Sequence, residues 1–308
     1  MSTEGGTKAV VAALLANLGI AVSKFVAFAV TGSSSLLAEA VHSVADSGNQ
    51  VLLLVGGRRS RRSPTPRHPF GYGRVRYVYA FVVSIVLFLV GGLFSLYEGW
   101  HKWHFPEPLD RPVVAYLVLG VAIVLESLSF RTALRESNSA RGRHSLLQFV
   151  RRARQPELPV VLLEDFGALV GLVFALAGVV TASVTGDARW DGVGAMSVGV
   201  LLVVIAVFLA VEMSSLLVGE GALPEQEAAI RDALESSPDV ERVIHLRTLH
   251  TGPDELLVGV KIAVAVDDSA SEIARTIDDA ERRIRAAVPT ARWVYVEPDL
   301  DRLRTGHA

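Results

Sequence analysis

The sequence predicts a polytopic α-helical membrane protein with six transmembrane helices and a C-terminal cytoplasmic α+β domain. Three observations carry that expectation. The 308-residue chain is 51% hydrophobic, and its mean hydropathy of +0.40 is too high for a two-domain soluble protein. Six apolar windows run about 20 residues or more, enough to cross roughly 30 Å of hydrocarbon at about 1.5 Å per residue. From about Pro224 the texture changes to short alternating segments. The division expected is 1–220 for the membrane domain and 221–308 for the cytoplasmic one.

The windows are Ala9 to Val30, Leu36 to Gly56, Tyr77 to Tyr97, Val113 to Leu134, Val160 to Val180 and Val193 to Val218. The first follows a short polar start and is too long for a signal-peptide core, so it reads as a retained span. The connection Thr31 to Ser35 is so short that spans one and two must be antiparallel neighbours. Arginine sets the orientation. Arg58, Arg59, Arg61, Arg62, Arg67 and Arg74 follow span two, and Arg135, Arg141, Arg143, Arg151, Arg152 and Arg154 follow span four. The alternate loops are poor in cations, so both termini are expected in the cytoplasm. A multi-pass protein of a prokaryotic cell membrane is the resulting expectation. Those arginines also suit contact with the lipid bilayer. Without aromatic interleaving or a recognised fold they do not point to nucleic acid.

In the C-terminal part, Pro224 to Ser236 has helical spacing, and Val240 to Thr251 and Leu256 to Val266 read as strands. Ser269 to Val288 is an amphipathic helix and Arg292 to Glu297 a last strand. Thr251-Gly252-Pro253-Asp254 is a turn, and Asp267 to Glu272 carries helix-start residues. An αββαβ order in about 80 residues fits helices packed on one face of a sheet.

The chemistry concentrates in span two. Glu39, His42, Asp46 and Asn49 fall at i, i+3, i+7 and i+10, one polar stripe on an otherwise apolar helix. His42 and Asp46 lie on adjacent turns. Ionisable groups at membrane depth mark ion or proton paths by default. The chain has no cysteine, so a transition metal would be held by His, Asp, Glu or water. Span five offers Glu164 and Asp165. Adjacent residues point about 100° apart on a helix, so the two do not face one ion as equals. Its Gly167, Ala168, Gly171 and Gly178 allow close approach to a neighbour. The residues alone also admit a buried His42–Asp46 hydrogen bond with no metal, and a helix-start role for Glu164 and Asp165. Glu39 and Asn49 suit orienting ligands or holding neighbouring helices better than binding the ion. Lys24, Glu126 and Glu212 are further ionisable residues in apolar surroundings. Lys24 either pairs with a carboxylate or snorkels to an interface.

Six spans, a second helix reading GSSSLLAEAVHSVADSGNQ, a following HPFGYGRVRY, a fifth helix with LLEDFGALVGL and a terminal αββαβ domain together resemble the cation diffusion facilitator family. Within it the sequence looks most like the branch containing the ninth human zinc transporter. The resemblance implies proton-coupled antiport exporting a divalent metal ion, usually zinc, from the cytoplasm. It implies a homodimer whose ferredoxin-like cytoplasmic domains, similar in fold to small copper chaperones, contact each other. It implies a metal site of two residues four apart on helix two and two four apart on helix five. His42 and Asp46 match the first pair, and Asp165 matches the second ligand of the other. Where the family usually has His or Asp four residues earlier, Val161 stands, with Glu164 as the nearest substitute. Such a harder donor set makes Mn²⁺, Fe²⁺ or Co²⁺ alternatives to Zn²⁺. In the cytoplasmic domain the family's usual metal positions read Ile244, Val260 and Tyr295. His245 and His250 lie near the pattern but off it, and are expected to be solvated. No cofactor other than the transported ion is expected. No nucleophile elbow, phosphate loop or haem motif suggests an enzyme. The rival readings are a metal-responsive scaffold without flux and a channel without proton exchange.

Overall fold

The computed structural model describes residues 3–300, with side chains described from residue 17 onward. The opening of the first window, 9–16, is therefore described as helix backbone only. The chain divides into two compact units. One is formed by Met1–Arg58 and Val78–Ser214, the other by Arg59–Tyr77 and Ser215–Ala308.

All six apolar windows are helical in the first unit and its continuations. They are α1 (Thr3–Thr31), α2 (Ser34–Ser60), a rod of α3 (Val75–Val86) and α4 (Phe94–His104), α5 (Pro112–Arg141), α7 (Glu157–Thr185) and α8 (Arg189–Val218). By length and composition four of these can cross a membrane: Val75–His104, Pro112–Arg141, Glu157–Thr185 and Arg189–Val218. The polar stripe lowers the hydropathy of α2. The described part of α1, Asn17–Thr31, is shorter than a span.

Two features depart from the sequence expectation. The third window is not one uniform helix, because a π-helical segment, Leu87–Leu93, joins α3 to α4. Gly91 and Gly92 lie within it, and they let α8 come close. A Cβ on Gly92 would meet Val203 Cγ2 at 2.7 Å. The second departure is α6 (Leu146–Arg152), inside a stretch read as loop. It starts with a capping box, in which Ser145 Oγ accepts from the Gln148 amide and Gln148 Oε1 accepts from the Ser145 amide. Val150 of α6 packs with Ala133 of α5 and Leu162 of α7.

Helix packing in this unit relies on small residues, as the glycines of α7 suggest. A Cβ on Gly178 would lie 2.9 Å from Gly194 Cα, and one on Gly99 2.6 Å from Gly192 O. Backbones at such distances gain dispersion contacts that lipid cannot supply. The GSSS turn is held by a buried anion. Asp191 of α8 accepts from Ser33 Oγ at 2.7 Å and from the Ser34 and Ser35 amides at 2.7 and 3.2 Å. These are free amides at the start of α2, so a carboxylate from another helix does the work of an N-cap.

The second unit holds α9 (Pro224–Glu235), β1 (Arg242–Gly252), β2 (Glu255–Ala263), α10 (Ala270–Ala287) and β3 (Ala291–Asp299), the expected αββαβ order. The sheet runs β1-β2-β3. β1 and β2 form a hairpin through the predicted turn, and β2 pairs parallel with β3 across α10. Alternate strand residues, including Leu246, Val258, Val260 and Val294, bury one face against Ile230, Leu234 and Ile284 of the helices. Segment 59–77 belongs to this unit. Phe70 meets Trp293 edge-on at 5.5 Å. Gly73 lies against Gly252, where a Cβ would come within 2.8 Å of the Gly252 Cα. Arg76 pairs with Asp254 at 3.3 Å.

Two carboxylates on α10 have pKa values held below their ordinary range. For Asp279 the main cause is its hydrogen bond from Arg283, and for Glu272 it is the Ser269 hydroxyl of the α10 cap. A depressed carboxylate contributes stability above its unfolded pKa and loses it as pH falls through the folded one. In the full chain, Asp279→Asn with Glu272→Gln is therefore expected to speed amide hydrogen exchange in α10 at pH 7. The gap from wild type should narrow below about pH 4. A gap constant with pH would refute this.

Candidate functional site

Helix α2 presents its stripe to the interior of the first unit. Glu39, His42 and Asn49 have no exposed surface, and the Asp46 side chain keeps 16%. Each group meets a different neighbour. Lys24 of α1 resolves its two options by pairing with Glu39 at 3.1 Å and donating to Ser43 Oγ at 2.8 Å. The other side of Glu39 rests on bare backbone, since a Cβ on Gly171 of α7 would lie 2.7 Å from Glu39 Oε1. Asn49 Nδ2 donates to Glu164 Oε1 at 2.7 Å. Glu39 and Asn49 thus tie α2 to α1 and α7.

Between these ties lie His42 and Asp46, with Nε2 3.4 Å from Oδ2. Among the described residues, both ring nitrogens of His42 and Oδ1 of Asp46 are buried without a hydrogen-bond partner. Buried polar atoms are normally satisfied, and exceptions call for a ligand or a function. The π segment packs beside the imidazole, where a Cβ on Gly91 would lie 3.6 Å from His42 Nδ1. Such segments recur at functional sites.

A small pocket of about 20 Å³, room for little more than a water or an ion, opens beside this pair. Asp46 of α2, Glu126 and Ser129 of α5, and Val161, Glu164 and Asp165 of α7 line it. His42 does not line it directly and reaches it through Asp46. Glu164 and Asp165 diverge as neighbours on a helix should. Glu164 turns to α2, while Asp165 accepts from Ser129 Oγ of α5 at 2.9 Å. Val161 faces the same pocket, so an apolar side chain occupies a lining position one turn before Asp165. Among the described residues, no three His, Asp or Glu side chains converge on one point at metal-ligand distance.

The sequence reading did not anticipate the lining role of α5. Glu126 was visible as an acid in an apolar run. Ser129, three residues on and hence on the same face, was the missed signal. In the second unit His245 is exposed, but His250 is only 2% exposed rather than solvated. Position 250 lies in β1 opposite Leu256, whose own side chain is core.

Residues 10–218 match the sequence model of the cation efflux transmembrane domain, and residues 222–299 match that of the cytoplasmic domain of cation efflux proteins. The chain is 35% identical over 248 residues to the mitochondrial proton-coupled zinc antiporter SLC30A9 of Xenopus laevis. That alignment covers 80% of this chain and 44% of the relative, so the chain spans less than half of that protein's length. The cation-efflux pump FieF of Pectobacterium atrosepticum is 28% identical over 293 residues, covering 92% of this chain and 90% of that protein. Among solved structures, a nickel form of the MamM CTD is 18% identical. It covers 25% of this chain and 98% of its own, at a TM-score of 0.24, a likeness that carries no argument. Matched by the transmembrane model over more than half its length, the chain belongs to the cation efflux family.

Proposed function

We propose that the protein is a secondary transporter that exports a divalent metal cation, Zn²⁺ first, from the cytoplasm in exchange for protons. The observation that carries this reading is the His42–Asp46 pair. It is buried, its nitrogens are unsatisfied, and it stands beside a pocket lined by carboxylates of two other helices. His42, Asp46 and Asp165 are the proposed ligands, with Glu164 as the next oxygen donor. The SLC30A9 relative is a proton-coupled zinc antiporter, which supports the choice of ion and of counter-ion.

The chemistry follows from the donor types. Metal needs neutral imidazole and ionised carboxylates, so protons and metal compete for the same atoms. Loading metal on one side and protons on the other, with the helices rocking between, couples the two flows. Six membrane spans, both termini in the cytoplasm, a membrane domain of 1–220 and a dimerising domain of 221–308 belong to the same proposal. The near end-to-end match with a bacterial pump supports a prokaryotic cell membrane as its place. Val161 in the pocket lining keeps Mn²⁺, Fe²⁺ and Co²⁺ as the alternative cargo.

The test is metal-driven proton flux in proteoliposomes carrying a pH dye, with Zn²⁺, Mn²⁺, Fe²⁺ and Co²⁺ supplied in turn. A proton signal with Zn²⁺ is the expected result. Metal uptake without proton movement would indicate a channel. Silence with all four ions from folded protein would sink the transport reading.

A further inference from the structure

The geometry points to Glu126 of α5 as an additional metal ligand, a carboxylate from a third helix that supplies the donor Val161 cannot. The inference rests on the cation site proposed above and extends it to a helix outside α2 and α7.

Three observations carry it. Glu126 lines the same pocket as Asp46, Asp165 and Val161. It lies one turn from Ser129 on the same face of α5, and Ser129 is bonded to Asp165 at 2.9 Å. Of the pocket acids on α5 and α7, Glu126 is also the uncommitted one. Glu164 Oε1 is occupied by Asn49, Asp165 Oδ2 by Ser129, and Glu39 by Lys24. Among the described residues, no hydrogen bond reaches Glu126.

An acidic cluster alone would not make a site. An independent observation is His42, wholly buried, with both nitrogens unsatisfied among the described residues and Nε2 turned to Asp46. A soft donor waiting beside hard donors is what a borderline cation recognises, whereas a purely structural acid cluster gives the imidazole nothing to bind. An unpaired carboxylate in a membrane interior is costly, and a divalent cation is the partner that offsets it. With Glu126 the set becomes one nitrogen and at least three oxygens, drawn from three helices. Binding would then pull α5 onto α2 and α7.

The experiment is equilibrium ⁶⁵Zn²⁺ binding to the purified full chain in detergent, with Asp46→Ala defining the level without the membrane site. Glu126→Gln keeps the size of the side chain. It is expected to weaken membrane-site binding at least about tenfold, the lower end of what losing even an outer partner costs a metal site. Adding Val161→His to Glu126→Gln is expected to restore much of the affinity. A neutral imidazole replaces a ligand but not a charge, so recovery separates ligation from electrostatic or structural effects. Unchanged binding by Glu126→Gln overturns the inference, and so does weak binding that Val161→His fails to recover. Wild-type binding no stronger than Asp46→Ala overturns both the inference and the site beneath it. If wild type binds zinc but moves no protons in liposomes, only the transport reading fails, and the Glu126 assignment is still decided by the binding series.

Discussion

Asp46→Ala is expected to abolish metal-driven proton flux while the protein still folds and assembles. Asp46 has the two properties that make this the largest functional effect expected. It is the link between the groups around it, with one oxygen 3.4 Å from His42 Nε2 and the side chain in the pocket wall with Glu164 and Asp165. It is also structurally uncommitted, since Oδ1 has no hydrogen-bond partner. Removing it therefore leaves no partner stranded apart from His42, whose nitrogens are already unsatisfied. Losing an outer partner costs a metal site about 10–100-fold. A direct ligand should cost at least the upper end of that range, enough to put flux below detection. Flux in proteoliposomes measures the loss, and an unchanged elution profile in detergent measures the fold. Asp46→Asn should be as inactive, because an amide can neither release nor take up a proton in the exchange. Flux retained by either variant would remove Asp46 from the site.

Much of this arrangement was legible because membrane burial makes polar residues conspicuous. A stripe at i, i+3, i+7 and i+10 has one geometric meaning on a helix, and Glu39, His42 and Asn49 are all buried as that spacing requires. The cytoplasmic unit was legible for a different reason. Period-two strands, a TGPD turn and a Ser269 cap are local signals, and local signals fix element order without knowledge of neighbours.

What escaped the sequence is what depends on partners far along the chain. Lys24 carried two readings until Glu39, fifteen residues away, was seen to bind it. The serines of GSSS looked like a turn, yet their function is to receive Asp191 from more than 150 residues away. The π segment could not be read from Gly91 and Gly92, because glycines also serve simple close packing. In the pocket, α2 and α7 were legible, but α1, through Asn17 and Ile20, and α5 complete a four-helix lining. Glu126 and Ser129 face it only because α5 packs alongside α7, which no local pattern encodes.

Lys24→Met is expected to be the most damaging single change to stability. Lys24 and Glu39 are both fully buried and meet at 3.1 Å, and Glu39 has Gly171 backbone rather than water on its other side. Breaking one half of such a pair strands the other charge and costs about 3–5 kcal/mol. Met fills nearly the same volume, so the loss comes from the orphaned Glu39 and not from a cavity. Glu39→Gln should be about as harmful, because it orphans the lysine instead. The double variant Lys24→Met/Glu39→Gln removes both charges and is expected to recover most of the loss, since a buried pair gains little over a neutral replacement. Ser43, which accepts from Lys24 at 2.8 Å, can turn its hydroxyl to its own helix backbone in that variant. The half-life of folded protein in detergent at a fixed elevated temperature reads all three, and a kinetic measure suits a membrane protein that unfolds irreversibly. If the double variant is as short-lived as the worse single one, the pair is not the source of the loss, and contacts of the lysine stem within α1 and α2 must be.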